Sequence, residues 1–419
     1  MYKKIPGTKD ILPEESLIWQ KIEETSRRIF TLYNYQELRL PILEQEGLFN
    51  RSLGQDTEII SKQMFLVKNS EETYALRPEG TASVVRAFLE NNLDKTCGFS
   101  KFYYLGAMFR LERPQKGRLR QFHHIGCEAI GSQDASLDIE VISLAANLLK
   151  AYGVRGSQIK INSLGCPKDK EALADILRKE IKGKLKQLCP DCNIRFKQNV
   201  LRILDCKKAG CKEITEGLGL KDAYLCLDCK GHFHKIRAGL DSLKIEYQVQ
   251  PYLVRGLDYY TRTVFEITHP NLGAQDALGA GGRYDNLVKS LGGQAMGAIG
   301  FAFGVERLIL AFSRQPKADM IPRLVYLIAL GDQAKGKVVN LLSDLRNAGI
   351  ASDTDYEDKS IKGAMRKAND LKAKLVLIIG EDELKKNTVT LKDMSSGEQL
   401  EIIEEKIIDS VLEKLQKIT

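Results

Sequence analysis

Residues 101–130 hold the densest set of chemistry-capable side chains in the chain. Successive side chains of a strand point to opposite faces, so Phe122, His124, Gly126 and Glu128 of RQFHHIGCEAIG share one face. Arg110 and Glu112 share a face of the preceding segment in the same way. A ring, an imidazole, carboxylates and a guanidinium make a poor core and a plausible binding site. The connection between the two segments carries Arg113, Lys116, Arg118 and Arg120 and no acid over 113–120. Such a cationic tip suits phosphates, whether of a nucleotide or of RNA. An idle charged hairpin surface is the competing reading.

Cysteines form a second group. CPDC (189–192), Cys206, Cys211 and CLDC (226–229) are followed by His232 and His234. Two C-x-x-C pairs are the usual grammar of structural zinc, which makes Cys189, Cys192, Cys226 and Cys229 the expected ligands. The 33 residues between the pairs exceed common zinc-ribbon spacing, so reduced thiols packed in a small subdomain are the alternative.

The elements that must position these groups follow from local pattern. Residues 14–33 read as an amphipathic helix, and LRLPIL (38–43) as a strand confined to an edge by Pro41. KFYYLGAMFR, a polar loop with Pro114 and Gly117, and RQFHHIGCEAIG read as a long hairpin. A helix over 135–152, strands at 157–165, 246–254 and 258–267, and a glycine-rich turn, ALGAGGRYD (277–285), come next. AIGFAFGVERLILAF (298–312) reads as a strand running into a helix. Beyond Pro316 and Pro322 the pattern becomes β-α-β-α-β, with helices over 332–348 and 360–373, as in an open α/β domain. The first three hundred residues instead predict a mixed, mostly antiparallel α+β domain.

Composition bounds the rest. A chain of 419 residues implies two to three domains at about 150 residues each, and 43% hydrophobic with 28% charged residues is an ordinary globular balance. The lysines of MYKKIPGTKDILPEE precede no apolar run, so no secretory leader is expected. The longest apolar run, Leu324 to Leu330, is far short of the ~20 residues of a membrane span. Nine cysteines, an odd number, argue against a disulfide framework and for a reduced, cytoplasmic protein. Of the net charge of +8, most sits in residues 167–240, with 17 basic and 10 acidic residues; residues 331–419 hold 15 and 17. That asymmetry favours a polyanionic partner, or a solvated lysine-rich face.

With these residues in view, the chain resembles a known family. FRLERPQKGRLRQFHHIGCEAIG is similar to motif 2 of class II aminoacyl-tRNA synthetases, in its histidyl form. LRPEGTASVVRA (76–87), RGLDYYTRTVFEI (255–267) and ALGAGGRYD resemble the histidine-binding segments of that family. LPILEQEGLF (40–49) resembles motif 1, AIGFAFGVERL (298–308) motif 3, and the tail the class IIa anticodon-binding domain. The resemblance implies a catalytic core over 1–166 and 241–320, a basic Cys-rich insertion over 167–240, and an anticodon-binding domain over 321–419.

It also implies a reaction: ligation of histidine to tRNA(His) through a histidyl-adenylate made from ATP with Mg²⁺, by a homodimer. Arg110 and Arg255 would flank the α-phosphate; Glu112, Arg118 and Arg307 would bind ATP, and Phe122 would stack on adenine. Glu79 and Thr81 would accept from the substrate ammonium, while Glu128 and Tyr260, with Tyr259, would address the imidazole. Arg255 would reach the histidine as well. His124 departs from the family, which usually has Gln at that histidine-contacting position. An imidazole there would repel the ammonium once protonated, which predicts weaker histidine use below a pH of about 6.5. The competing function is that of a catalytically silent synthetase paralogue regulating histidine biosynthesis; such paralogues typically lack the anticodon domain, and their motifs are degraded.

Overall fold

The strand pattern of the first three hundred residues builds one eight-stranded sheet, described from a computed structural model. Its residues 2–417 are described, except 55–56, 70, 116, 274–275, 313–322 and 358. In spatial order the strands are Gln36–Glu37, Ser100–Phe109, Gln121–Ile130, Ala298–Gly304, Ala277–Arg283, Thr261–Thr268, Gln158–Ser163 and Gln248–Val249. All pairings are antiparallel except the two outermost, and the 121–130 strand lies near the centre. One face packs on helices Pro13–Leu32 and Ala135–Tyr152 through Ile22, Phe30, Ile142 and Leu148. Residues 1–315 form one compact unit and 316–419 a second. Helices of residues 167–240 share the core of the first unit, Leu173, Leu177 and Ile203 clustering with Phe49 and Val84.

Three segments differ from the sequence expectation. Residues 38–42 make no ladder; the carbonyls of Leu40 and Pro41 accept instead from the buried Arg77 guanidinium, at 2.9 and 3.3 Å. The strand expected over 246–254 is reduced to Gln248–Val249, ending before Pro251, which has no N–H to give a ladder. ALGAGGRYD is not a turn but contains the Ala277–Arg283 strand. A Cβ on Gly279 would lie 2.4 Å from the Phe303 ring, and one on Gly281 2.3 Å from the Gly300 carbonyl oxygen. The glycines permit close packing across the sheet.

Arg283 ends that strand fully buried. Its Nε donates to Asp138 at 2.8 Å, its Nη1 to Asp285 at 2.8 Å, and its remaining donors to the carbonyls of Ser132 and Asp134. The His232 ring sits 3.3 Å from the other Asp138 oxygen. In the second unit, strands Ser352–Thr354, Val325–Ala329 and Leu375–Ile379 are parallel, and Thr388–Asp393 and Gln399–Ile403 extend the sheet antiparallel. Val325 and Leu327 pack on Leu341 and Leu345 of one face, Tyr326 and Ile328 on Ala364 and Ala368 of the other.

Removing one partner of a buried pair strands the other charge. Asp138→Ala is therefore expected to cost about 3–5 kcal/mol in denaturant unfolding; a loss below about 1 kcal/mol would contradict the account of Arg283.

Candidate active site

The other face of the sheet floors a cleft of about 1030 Å³, its open mouth included. Among residues singled out from sequence, Glu79, Thr81, Arg110, Glu112, Arg118, Phe122, His124, Arg255, Tyr259, Tyr260 and Arg307 line it. Glu128 does not: it lies a layer behind, with the hydroxyls of Thr81, Tyr104 and Tyr284 between it and the cleft. Lys116 lies outside the described residues.

Strand geometry sets the length of the site. Phe122 and Glu128 are six residues apart on one strand, about 20 Å at ~3.3 Å per residue, with His124 and Gly126 between them. At one end the Arg110 guanidinium lies 5.3 Å from the centre of the Phe122 ring, a cation–π distance. Arg307 opens the Val305–Ala311 helix and donates to the Gly117 carbonyl at 2.9 Å and the Ala277 carbonyl at 2.8 Å. It thereby holds the hairpin tip over the sheet. Arg118 pairs with Glu112 at 3.2 Å.

At the other end sits the acid group. Glu79 accepts from the backbone N–H of Thr81 and Ala82, at 2.7 and 2.8 Å, at the start of helix Thr81–Glu90. Glu128 accepts from Thr81 at 2.7 Å, Tyr284 at 2.6 Å and Tyr104 at 3.3 Å. Space for it exists because Gly300 has no side chain; a Cβ there would fall 1.8 Å from a Glu128 oxygen. Burial raises the Glu128 carboxyl to about 8 against the pull of these three hydroxyls. The raised value means the empty fold binds this proton while the unfolded chain, near 4.3, has lost it, so stability falls as pH rises from about 4.3 to about 8. Burial also raises the carboxyl of Glu79.

Arg255 lies between these ends. It is ion-paired to Glu266, whose register partners across the sheet are Ala280, then Ala302, then Gly126. That row crosses the cleft midway between His124 and Glu128. Among the described residues, Arg255 Nε, a donor, and His124 Nδ1 are buried without a hydrogen-bond partner. The expected protonation of His124 near pH 6.5 is corrected, because burial and the charges of Arg110, Arg307 and Arg77 lower its value to about 3. The ring is neutral at physiological pH and able to accept.

Sequence reasoning missed Tyr104, Tyr284 and Glu266. Tyr104 is the register partner of Gly126, and a Cβ on Gly126 would lie 2.5 Å from its ring, so the glycine was the available signal. The loop bearing Asp258 to Tyr260 is held by residues of the 167–240 segment. Lys170 donates to the carbonyls of Asp258 and Tyr260, both at 3.1 Å, and Asn199 and Arg202 donate to the Asp258 carboxylate at 3.1 and 3.3 Å.

The expected four-cysteine site of Cys189, Cys192, Cys226 and Cys229 does not form. Cys189 and Cys192 open helix Pro190–Gln198, and the chain doubles back to set Cys206 and Cys211 beside them. Cys226 and Cys229 open helix Leu227–Ser242 and meet Cys166 and Asp169 instead. His232 is bonded to Asp138, and His234 is exposed.

An antiparallel sheet flooring a long cleft, arginines at one end and acids at the other, is the architecture of a class II aminoacyl-tRNA synthetase. The family model described as histidyl-tRNA synthetase matches residues 7–308, and that of the anticodon-binding domain residues 324–417. The chain is 45% identical to the histidine–tRNA ligase of Halothermothrix orenii, with 98% of each chain covered. It is 44% identical to that of Natranaerobius thermophilus, with 96% and 97% covered. The crystal structure of apo Staphylococcus aureus histidyl-tRNA synthetase aligns with a TM-score of 0.81 at 35% identity, over 98% of this chain and 99% of that one. The chain belongs to the histidyl-tRNA synthetase family.

The charge states give a test. Between pH 7 and 8.5, where free histidine's imidazole is already neutral, histidine binding should tighten as Glu128 ionises. His124→Gln should keep this profile, and His124→Leu should cost about 1–3 kcal/mol in histidine use. A profile flattened by His124→Gln, measured by equilibrium binding, would show that His124 is the titrating group.

Proposed function

We propose that this chain activates histidine with ATP and transfers it to tRNA(His), the observation that carries this being the row that sets Arg255 midway between a phosphate-suited end and an acid end. The histidine carboxylate attacks the α-phosphorus, the bond to the bridging oxygen breaks, and pyrophosphate leaves with that oxygen's electrons. An ionised carboxylate needs no general base, so the protein's work is alignment and neutralisation of charge. Arg110 and Arg255 meet the α-phosphoryl oxygens, the unpartnered Nε of Arg255 supplying a ready donor. Phe122 stacks on adenine, and Arg118 and Arg307 receive the outer phosphates. ATP enters as its magnesium complex, and Glu112 and Glu306 are carboxylates on the cleft wall of the type Mg²⁺ takes beside phosphates.

Histidine lies toward the acid end. Glu79, Thr81 and the neutral His124 accept from its ammonium. Ionised Glu128 draws the hydroxyls of Tyr104 and Tyr284 inward, so their lone pairs face the cleft as acceptors for an imidazole N–H, together with Tyr260. An amino acid lacking that N–H would leave these oxygens unpaired, the basis of strong rejection. The silent-paralogue reading is not favoured, because the arginines and the anticodon-binding domain are all present.

The tail supplies tRNA contact through Lys362, Arg366 and Lys367, exposed on helix Ile361–Asp370, with Lys359 beside them paired to Asp355. A homodimer forms through the motif 1 segment, where Ile42 and Leu43 leave apolar surface exposed. In the described residues no helix is long and apolar enough to cross a membrane. All nine cysteines are unpaired, which suits the cytoplasm. Structural zinc is held by Cys189, Cys192, Cys206 and Cys211. The Cys192 N–H donates to the Cys189 sulfur at 3.4 Å, and the sulfurs of Cys189 and Cys206 are 4.0 Å apart. Tetrahedral ligation by sulfur at ~2.3 Å sets such sulfurs about 3.8 Å apart.

Arg255→Ala should slow histidine-dependent ATP–pyrophosphate exchange by about 10²–10³-fold, the scale for losing one electrostatic stabiliser, with an unchanged Tm; near wild-type exchange would remove Arg255 from the chemistry. Deleting residues 323–419 should depress transfer to tRNA far more than exchange. Equal losses in the two assays would assign the tail a structural role.

A further inference from the structure

The chain repeats one local device three times. Cys166-x-x-Asp169, Cys189-x-x-Cys192 and Cys226-x-x-Cys229 each occupy the N-cap and third position of a helix. The middle pair serves the four-cysteine site. The outer two converge, with the ligand atoms of Cys166, Asp169, Cys226 and Cys229 all within 4.8 Å of one another. Two helix N-termini, each carrying partial positive charge, therefore face each other across this cluster, and negative charge between them is favoured. Asp169 already bridges them, accepting from the Cys226 N–H at 3.0 Å and the Cys166 N–H at 3.2 Å. Each carboxylate oxygen keeps a lone pair. Three sulfurs and one oxygen are a ligand number and type that a tetrahedral thiophilic cation takes.

The cluster is mechanically joined to the cleft. Next after Asp169 is Lys170, whose ammonium holds the carbonyls of Asp258 and Tyr260. On the other side, Gly165 at φ +72 leaves no room for a Cβ, which would meet Asp169 at 2.3 Å. Its carbonyl accepts from Arg262 at 2.8 Å, and Leu164 donates to the Arg262 carbonyl at 2.7 Å. Arg262 itself sits at φ +47, a left-handed conformation unfavourable outside glycine and held only where the surroundings impose it. The cluster thus grips the chain on both sides of Tyr260.

We propose that Cys166, Asp169, Cys226 and Cys229 form a second site for Zn²⁺ or a similar thiophilic divalent ion, and that the bound ion fixes the segment from Asp258 to Tyr260. Binding releases the thiol protons to solvent and leaves a thiolate–carboxylate cage between the helices. Lys170 is the positioning residue that passes its rigidity to the loop. The positioning half rests on reading that loop as histidine-binding; the metal half does not, so the two fail separately.

Elemental analysis of the intact protein, purified under reducing conditions without chelator, should give two zinc ions per chain. Cys226→Ser with Cys229→Ser should retain one. A wild-type count that this double variant leaves unchanged overturns the site. Should that variant not fold, Cys189→Ser with Cys192→Ser loaded with Co²⁺ decides. A tetrahedral, thiolate-bearing absorption spectrum at about one ion per chain upholds the site, and its absence overturns it. For positioning, the Cys226/Cys229 variant and Lys170→Met should each raise KM for histidine about tenfold, within the range of coupling through packed elements. In both, kcat should stay within about twofold, and KM for ATP should not change. Lys170→Met should keep both zinc ions, and Lys170→Arg should restore KM. Loss of metal with KM for histidine unmoved overturns the coupling.

Discussion

A carboxylate sealed inside a sheet constrains most of what surrounds it. Glu128 sits on a central strand at 1% exposure, and a buried carboxyl, protonated or ionised, is tolerated only when its oxygens are bonded. Thr81, Tyr104 and Tyr284 supply those bonds from three separate segments. Each demands room of its own: Gly300 stands aside for the carboxylate, and Gly126 and Gly80 for the Tyr104 ring. The buried ion pair of Arg283 and Asp138 anchors the residue just before Tyr284. The absence of side chains at Gly80, Gly126 and Gly300 and the placement of three hydroxyls answer to one acid in a dry place.

The parts legible in the sequence were those whose cause is local. The 101–130 hairpin follows from period-two alternation, and the same alternation correctly gathered Phe122 and His124 on the cleft face. The glycine-rich strand was misread because its glycines answer to Phe303 and Gly300 on a neighbouring strand, which no local pattern reveals. The cysteine pairs were visible, but which pair meets which depends on where helices Pro190–Gln198 and Leu227–Ser242 pack. Cys166-x-x-Asp169 escaped notice because its second member is a carboxylate rather than a thiol. The titration of His124 was misjudged because it is suppressed first by burial, and then by cations from separate segments, neither of which local sequence reveals.

The segment between residues 167 and 240 acts as more than an appendage. Its Lys170, Asn199 and Arg202 hold the backbone and carboxylate of the loop that carries Tyr259 and Tyr260. A loop of this kind would otherwise sample many conformations, and ordering it on binding would consume affinity. Anchoring it to a helical scaffold settles that entropy during folding.

The raised Glu128 value has a calorimetric consequence. At pH 7 the empty site holds a proton on this acid, and the arrival of an imidazole N–H that needs the Tyr104 and Tyr284 hydroxyls as acceptors favours its release. Histidine binding should therefore be linked to proton transfer into the medium, so its apparent enthalpy will differ between buffers of different ionisation heat although the affinity does not. The heat of binding measured in any single buffer is then a composite of ligand contacts and buffer protonation.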